Sequence, residues 1–336
     1  MISLLKTLAL TIIVGSYTPY WGYTYLAEGN DKVYALRGLN QSSSLCTFDS
    51  DCLKNYKGVV ELASLQVPMA ESVTEGCESC HITLLEREAV VSDYSSGTLS
   101  LYPLDEKGGV CGNPRLLRYE GTGAHPTRQN SPHIHSSALS PDGKTLAVVD
   151  LGTDRVYCYA VKDGRVADML TAIALPAGSG PRFSVFSNDG KYLYLLTELS
   201  DEVMVYRTSD YVLQSRYPIG DDNPEGGAHI ALSPDGCYLY ASLRVSGTSK
   251  AKQCKATDGV AVFKCLKGGK LKRLYYQPTG GHPRHFAISS DGKALVVACR
   301  DSNEIEVYPL DNKSGLPVGC VETISVKAPV YVGFVN

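Results

Sequence analysis

The 336-residue chain carries 32 Lys and Arg against 35 Asp and Glu, a formal net charge of −3. That length admits a large core, and the near-neutral balance excludes bulk binding to nucleic acid, which needs a basic face. Tyrosines number 22 against 6 Phe and 1 Trp, which suits half-buried strands that keep one polar tip in water.

The chain opens on MISLLKTLALTIIVGSYT. A lysine followed by an apolar run has the form of a short signal peptide, but no A-x-A site follows. The run is read instead as a buried strand at 10–17. Beyond it, no segment approaches the ~20 apolar residues of a membrane span. Eleven cysteines, an odd number, show no disulfide framework in their spacing. Cys158 and Cys299 fall inside apolar runs, where cysteine behaves as a small buried hydrophobe. Mostly reduced thiols are expected, and with them a cytoplasmic location; export is the alternative if the first run is a signal peptide.

KVYALR at 32–37 reads as the third strand of a partial repeat and VVELASLQV at 59–67 as its fourth, with Tyr23–Leu26 a spare extended piece. Residues 38–58 read as a long polar loop inserted on the surface. From 81 the pattern becomes regular. HITLLEREAVVSDYSSGTLSLYPL at 81–104 is one unit; four more carry SPDGK, SNDGK, SPDGC and SSDGK turns beginning at 140, 187, 233 and 289. Asp-Gly between apolar runs is a strong hairpin signal. Each turn joins two apolar runs, a third follows after a polar loop, and a weaker fourth closes the unit. A short insertion at 246–258 widens the last spacing.

Four antiparallel strands per unit at a period near 45 residues is the mark of a β-propeller, here an all-β single domain over 1–336. First strands near 81, 135, 182, 229, 285 and 330 give about six blades. The C-terminal APVYVGF has no turn after it and the N-terminal TIIVGSY lacks a first strand. Pairing the two would close the sheet edges.

Two sets of residues are expected on the face opposite the Asp-Gly turns. The first precedes the inner strand: His135, Arg182 and Arg284 five residues before the turn serine, His229 and His285 four before, with His81 at the matching place and His133 two residues further out. A ring of cationic or proton-carrying side chains points to an anionic ligand, and arginine grips a phosphate or carboxylate in two-pronged fashion. The second set ends the second strand: Asp150, Glu198, Arg244 and Arg300, with Asp93 near by. A carboxylate among cations serves as general base or fixes a histidine tautomer, although strand-end aspartates also make ordinary turn hydrogen bonds. CESCH at 77–81 matches the C-x-x-C-H haem pattern, but His81 is already accounted for by the repeat, and no second C-x-x-C supports zinc. Neither metal nor cofactor is expected. No G-x-S-x-G, P-loop or dinucleotide fingerprint is present.

On these segments (PHIHSSALSPDGKTLAVVDLGTDRVYCY, GPRFSVFSNDGKYLYLLTELSDEVMVY, PRHFAISSDGKALVVACRDSNEIEVY, with SDYSSGTLSLYPLD and VGSYT) the chain resembles the propeller-type 6-phosphogluconolactonases, a family that includes carboxy-muconate cyclases. The resemblance implies a seven-bladed fold and hydrolysis of a sugar-phosphate lactone without metal. Its P-H-x-H, G-P-R, N-E-L and S-N-R segments fall on His133 and His135, Arg182, Glu198 and Arg244. On that reading Arg182 and Arg244 are expected to bind the anion and stabilise the developing oxyanion. Glu198 or a histidine of the 133/135 pair would activate water, with His81, Asp150, His229, Arg284, His285 and Arg300 left to line the substrate. The chain departs from the pattern in three ways. About one blade is missing after VGSYT, Phe183 replaces a histidine after G-P-R, and N-E-L and S-N-R read Thr197-Glu198-Leu199 and Ser242-Leu243-Arg244. A small anionic lactone is the expected partner, with neither nucleic acid nor membrane. The alternatives are a propeller that binds an anion or a protein without catalysis, and a muconate-lactonising enzyme.

Overall fold

The computed structural model describes residues 11–18, 21–29, 32–39, 42–49, 58–61, 70–74, 76–246, 248, 250 and 253–334. In chain order β1 (Thr11–Thr18) precedes an antiparallel meander of β2 (Trp21–Glu28), β3 (Lys32–Leu39) and β4 (Ser42–Asp49). After β5 (Gly58–Glu61), β6 (Ala70–Val73) returns to pair with β4. Strands then come in groups of four: β7 (Ser79–Leu84), β8 (Glu88–Asp93), β9 (Thr98–Pro103), β10 (Arg115–Arg118); β11 (Ile134–Leu139), β12 (Thr145–Asp150), β13 (Arg155–Lys162), β14 (Arg165–Ala174). The next groups are β15 (Pro181–Phe186), β16 (Tyr192–Thr197), β17 (Glu202–Arg207), β18 (Val212–Pro218); β19 (Gly227–Leu232), β20 (Tyr238–Leu243), β21 (Gly259–Cys265), β22 (Leu271–Pro278); and β23 (Pro283–Ile288), β24 (Ala294–Cys299), β25 (Glu304–Pro309), β26 (Glu322–Ser325). The last strand is β27 (Pro329–Phe334). A single 3₁₀ turn at 267–269 is the only helical element among the described residues.

The chain forms two compact units. Unit one holds residues 1–16, 56–62 and 187–336; unit two holds 17–55 and 63–186. In each, consecutive sheets pack face to face. In unit two, Val90, Leu99 and Leu101 of one sheet meet Leu146, Val148, Tyr157 and Tyr159 of the next. In unit one, Tyr240, Val260 and Val262 meet Phe286, Leu295 and Val297. The second strands β8, β20 and β24 are buried along both faces, whereas the outer β18 and β26 are exposed along one. A continuous apolar run therefore marks an inner strand and alternation an outer one. Tyr240 and Tyr308 are almost wholly buried rather than wet-tipped. Their hydroxyls donate to the Gly315 carbonyl and to Glu306, both at 2.7 Å, as buried phenols require.

The Asp-Gly hairpins form as expected, and the reason is local. At 140–144 the Gly143 N–H donates to the Ser140 carbonyl with Gly143 at φ +70, which favours glycine. The Ser140 hydroxyl donates to Asp142, and Asp142 accepts the Lys144 N–H. These bonds hold the Asp142 carboxyl below its usual range, the serine hydroxyl most of all. Ser187, Ser233 and Ser289 repeat the arrangement with Asp189, Asp235 and Asp291.

The expected N-terminal strand and its pairing with the C-terminus are present in unit one: β1 runs antiparallel to β27, with Ile12 opposite Phe334 and Val14 opposite Val332. Ile12, Val14 and Val332 pack on Val296, Ala298 and Val307. Before residue 81 the sequence reading is corrected. Residues 42–49 are a strand, not a loop, and Tyr23–Leu26 lies inside β2, the first strand of a complete group of four. KVYALR is the second strand of that group, not the third. VVELASLQV does not form its fourth: 59–61 lie in β5, which pairs with β1 in parallel, and β6 takes the fourth place; 62–69 lie outside the described residues. Among the described residues there are thus six groups of four strands, and β27, β1 and β5 make a three-stranded seventh.

Candidate functional site

In unit two the expected residues gather around aromatic rings. The His133 ring stacks on Tyr94, with centroids 4.4 Å apart and planes 11° apart, and its Nδ1 meets the Tyr94 carbonyl at 2.9 Å. A carbonyl can only accept, so His133 carries its proton on Nδ1. His135, buried at the start of β11, stands edge-on to Tyr94 at 5.5 Å and tilts against Phe183 at 5.5 Å. His81 packs between Tyr25 at 4.5 Å and Phe183 at 5.3 Å. Burial, and then the Arg182 charge, push its pKa down to about 3, so the ring is neutral. Arg182 is 2% exposed and its guanidinium lies 5.1 Å from the Phe183 centroid. Phe183 thus fills the place of an imidazole with a ring that supports two histidines and a cation.

Asp150 does not present its carboxylate to a ligand. It is wholly buried and accepts from the His133 N–H, the Gly152 N–H and the Thr153 hydroxyl. Its work is to set the backbone of His133. Asp93 likewise accepts from Ser79, Thr98 and Ser100. Of the CESCH motif, Cys77 is exposed and Cys80 half-buried with its thiol on the His135 carbonyl at 3.2 Å. The His81 Nδ1 faces the Ser137 N–H at 3.4 Å. With His81 clamped between two rings, nothing in this motif offers an open imidazole. No group of three or more metal-ligating side chains forms among the described residues.

In unit one Glu198 and Arg244 follow directly on β16 and β20. They meet at 3.1 Å, 6% and 8% exposed at their side chains. Arg244 Nε donates to the Gly226 carbonyl at 3.0 Å and Nη2 to the Gly227 carbonyl at 3.1 Å. A Cβ at Gly226 would lie 1.7 Å from the Arg244 carbonyl oxygen, so glycine is needed for the two backbones to meet. Nη1 makes no hydrogen bond to the described residues. His229 and His285 stack at 3.9 Å, flanked by Phe286 and Tyr331. Arg300 is a third exposed and spends Nε on Asp301 at 2.7 Å. Arg284 is half-buried on β23, and its charge reaches His282.

Two kinds of residue escaped the sequence reading. His282 stands seven residues before its turn serine, the offset of His133, so the repeat itself carried the signal. Asp154, Asp201 and Asp258 recur just ahead of the third strands. Asp154 accepts the Gly178 and Gly180 N–H groups; Asp201 those of Glu225, Gly226 and Gly227; Asp258 those of Val245, Ser246 and His282. Burial pushes Asp201 up to about 7 against the pull of its three N–H donors. Asp201→Asn keeps one acceptor but sets an amide NH₂ against a backbone donor. It is expected to cost about 1–3 kcal/mol in urea unfolding; an unchanged midpoint would count against the stapling role.

The model of the family "Lactonase, 7-bladed beta-propeller" matches residues 23–334. A 6-phosphogluconolactonase of Formosa agariphila is 34% identical over 239 residues, 67% of this chain and 64% of that protein. One of Bacillus subtilis is 27% identical over 327 residues, 93% of this chain and 87% of that protein. A crystal structure from Bacteroides fragilis, provisionally named a 6-phosphogluconolactonase, is 31% identical with a TM-score of 0.84, covering 97% of this chain and 98% of that one. A match over that span, on strands and turns of the kind just described, means that the chain belongs to the lactonase family of seven-bladed β-propellers.

Proposed function

We propose that this protein hydrolyses 6-phosphogluconolactone to 6-phosphogluconate, without metal, in the cytoplasm, as a step in carbohydrate metabolism by the pentose phosphate route. The relatives' names support the substrate. The observation that carries the chemistry is the buried Glu198–Arg244 pair at 3.1 Å in unit one. Arg244 is pinned by two glycine carbonyls, so its remaining Nη1 is held in place before any substrate arrives. A preset cation of this kind stabilises the oxyanion that grows as water adds to the lactone carbonyl. Glu198 accepts a proton from that water. The ring oxygen leaves as the new hydroxyl, taking up a proton, and the carboxylate product carries one more negative charge than the substrate. Lactone opening is intrinsically easy, so positioning supplies much of what is needed.

Proton release from 6-phosphogluconolactone tests the reading. The purified protein is expected to exceed the spontaneous rate. Glu198→Gln, which keeps an oxygen facing Arg244, is expected to lower kcat by ~10²–10⁴-fold with KM little changed. Hydrolysis no faster than the buffer control refutes the assignment.

A further inference from the structure

His282 is built more elaborately than a loop residue requires. It is 5% exposed and has φ +60, a left-handed conformation that a histidine seldom adopts. Its backbone is held at both ends: its N–H donates to Asp258 at 3.0 Å, and its carbonyl accepts the Arg300 N–H at 3.1 Å. Strain of this kind persists where the surroundings over-determine it, and it clusters at ligand sites. The ring Nδ1 meets the Ser246 carbonyl at 2.9 Å. That contact demands a proton on Nδ1, which leaves the lone pair on Nε2. Arg300 Nη2, at 3.3 Å from the same Nδ1, cannot also donate to it. Nε2 is buried and has no hydrogen-bond partner among the described residues.

We propose that His282 Nε2 accepts a hydrogen bond from a hydroxyl of the bound ligand, so that unit one selects polyhydroxylated acids over equally charged acids without hydroxyls. The chemistry narrows the ligand in two steps. A buried acceptor needs a donor, and a phosphate monoester dianion or a carboxylate has none to give. Burial, and then the guanidinium charges of Arg244, Arg300 and Arg284, hold the pKa of this ring down to about 2, although the Asp301 carboxylate lies 3.6 Å from Nδ1. An ammonium donor is therefore unwelcome, whereas a hydroxyl on an otherwise anionic molecule satisfies both demands. A hydroxy acid or sugar acid fits. His133 in unit two repeats the device at the same offset from its turn, with Nδ1 tied to the Tyr94 carbonyl at 2.9 Å. This inference rests on the lactonase reading for the identity of the ligand, and on the ring geometry for the hydroxyl.

The test uses the full chain with two probes, 6-phosphogluconate and hydroxyl-free sulfate, titrated by calorimetry. Asparagine tolerates positive φ but is too short to place an acceptor at the Nε2 position. His282→Asn, shown to melt as the parent does, is expected to weaken 6-phosphogluconate about tenfold and to leave sulfate within about twofold. His282→Phe should do the same if it folds. In ¹⁵N-histidine spectra of the parent, the Nε2 resonance should move on saturation with 6-phosphogluconate and stay put with sulfate. Equal weakening of both probes, no weakening of either, an unmoved Nε2 resonance, or no binding by the parent would each overturn the proposal. A parent that binds with the hydroxyl preference yet opens no lactone refutes the catalytic reading alone. A parent that opens lactone while His282→Asn binds normally refutes this one alone.

Discussion

Arg244→Ala is expected to lower the unfolding free energy by roughly 3–5 kcal/mol, because it strands a buried carboxylate, and to abolish measurable lactone turnover. The guanidinium serves three acceptors at once: Glu198 and the carbonyls of Gly226 and Gly227. Alanine takes the guanidinium away from all three and leaves a void, while the Gly226 carbonyl keeps the backbone N–H of residue 244. Arg244→Lys separates charge from shape. One ammonium cannot span the three acceptors in the geometry of a planar fork, so most of the stability should be lost although the charge remains. Urea unfolding with the slope held common to the three proteins is the measurement. A lysine variant as stable as the parent would show that charge alone matters there. An alanine variant within 1 kcal/mol of the parent, on the order of an exposed pair, would show that water already reaches the site.

His81→Gln should make the protein less sensitive to acid. His81 is driven down to about 3 in the folded state, first by burial and then by Arg182, from the ordinary histidine value of 6.5. Between those two values the unfolded chain holds a proton on this ring and the folded chain does not. Stability therefore rises with pH through that window and is lost as pH falls, by ~1.4 kcal/mol per unit. At pH 4.5 the parent should have lost ~2.7 kcal/mol relative to neutral pH from this one ring, against a whole-domain stability of ~5–15 kcal/mol. Asp201 works in the opposite direction. Its folded pKa is raised to about 7 from 3.8, so its contribution declines as pH rises between those values. The parent's total slope mixes both effects, and the difference between parent and His81→Gln isolates the histidine. Urea midpoints at pH 7, 6, 5 and 4.5 should converge on acidification if the variant starts lower, or diverge if it starts equal. Parallel lines would mean that His81 takes up its proton in the fold as readily as in the unfolded chain.

The hairpin turns were legible because their chemistry is local: a serine, an aspartate two residues on and a glycine with positive φ complete one another within five residues. Residues 21–73 were not. SSSLCTFD has little apolar character, yet Ser43 and Thr47 are buried and β4 is held by β3 and β6. Pairing across a gap of more than twenty residues outvotes composition. At the candidate site, residue type at a repeated offset found Glu198 and Arg244 but could not say that they pair. It also placed Asp150 with the ligand-facing residues, since a strand-end aspartate that faces inward to Thr153 and one that faces a ligand look alike in sequence. His282 is harder to see for a simpler reason: it shares offset seven only with His133, whereas the other histidines and arginines ahead of the inner strands align at four and five.

The carboxylates ahead of the third strands carry a consequence for how such a protein could be rebuilt. Asp201 belongs by sequence to one repeat, yet it fixes the lead-in of the next, the stretch where Arg244 finds its glycine carbonyls. Asp258 does the same for His282, and Asn303 accepts the Ala328 N–H ahead of β27. The inheritable unit of a binding loop therefore straddles two blades. A chimera cut where one group of four strands gives way to the next would import each loop without the side chain that shapes it. Cuts between the second and third strands would move the carboxylate and its loop together, so the natural module for recombination in this chain is half a blade out of step with the visible one.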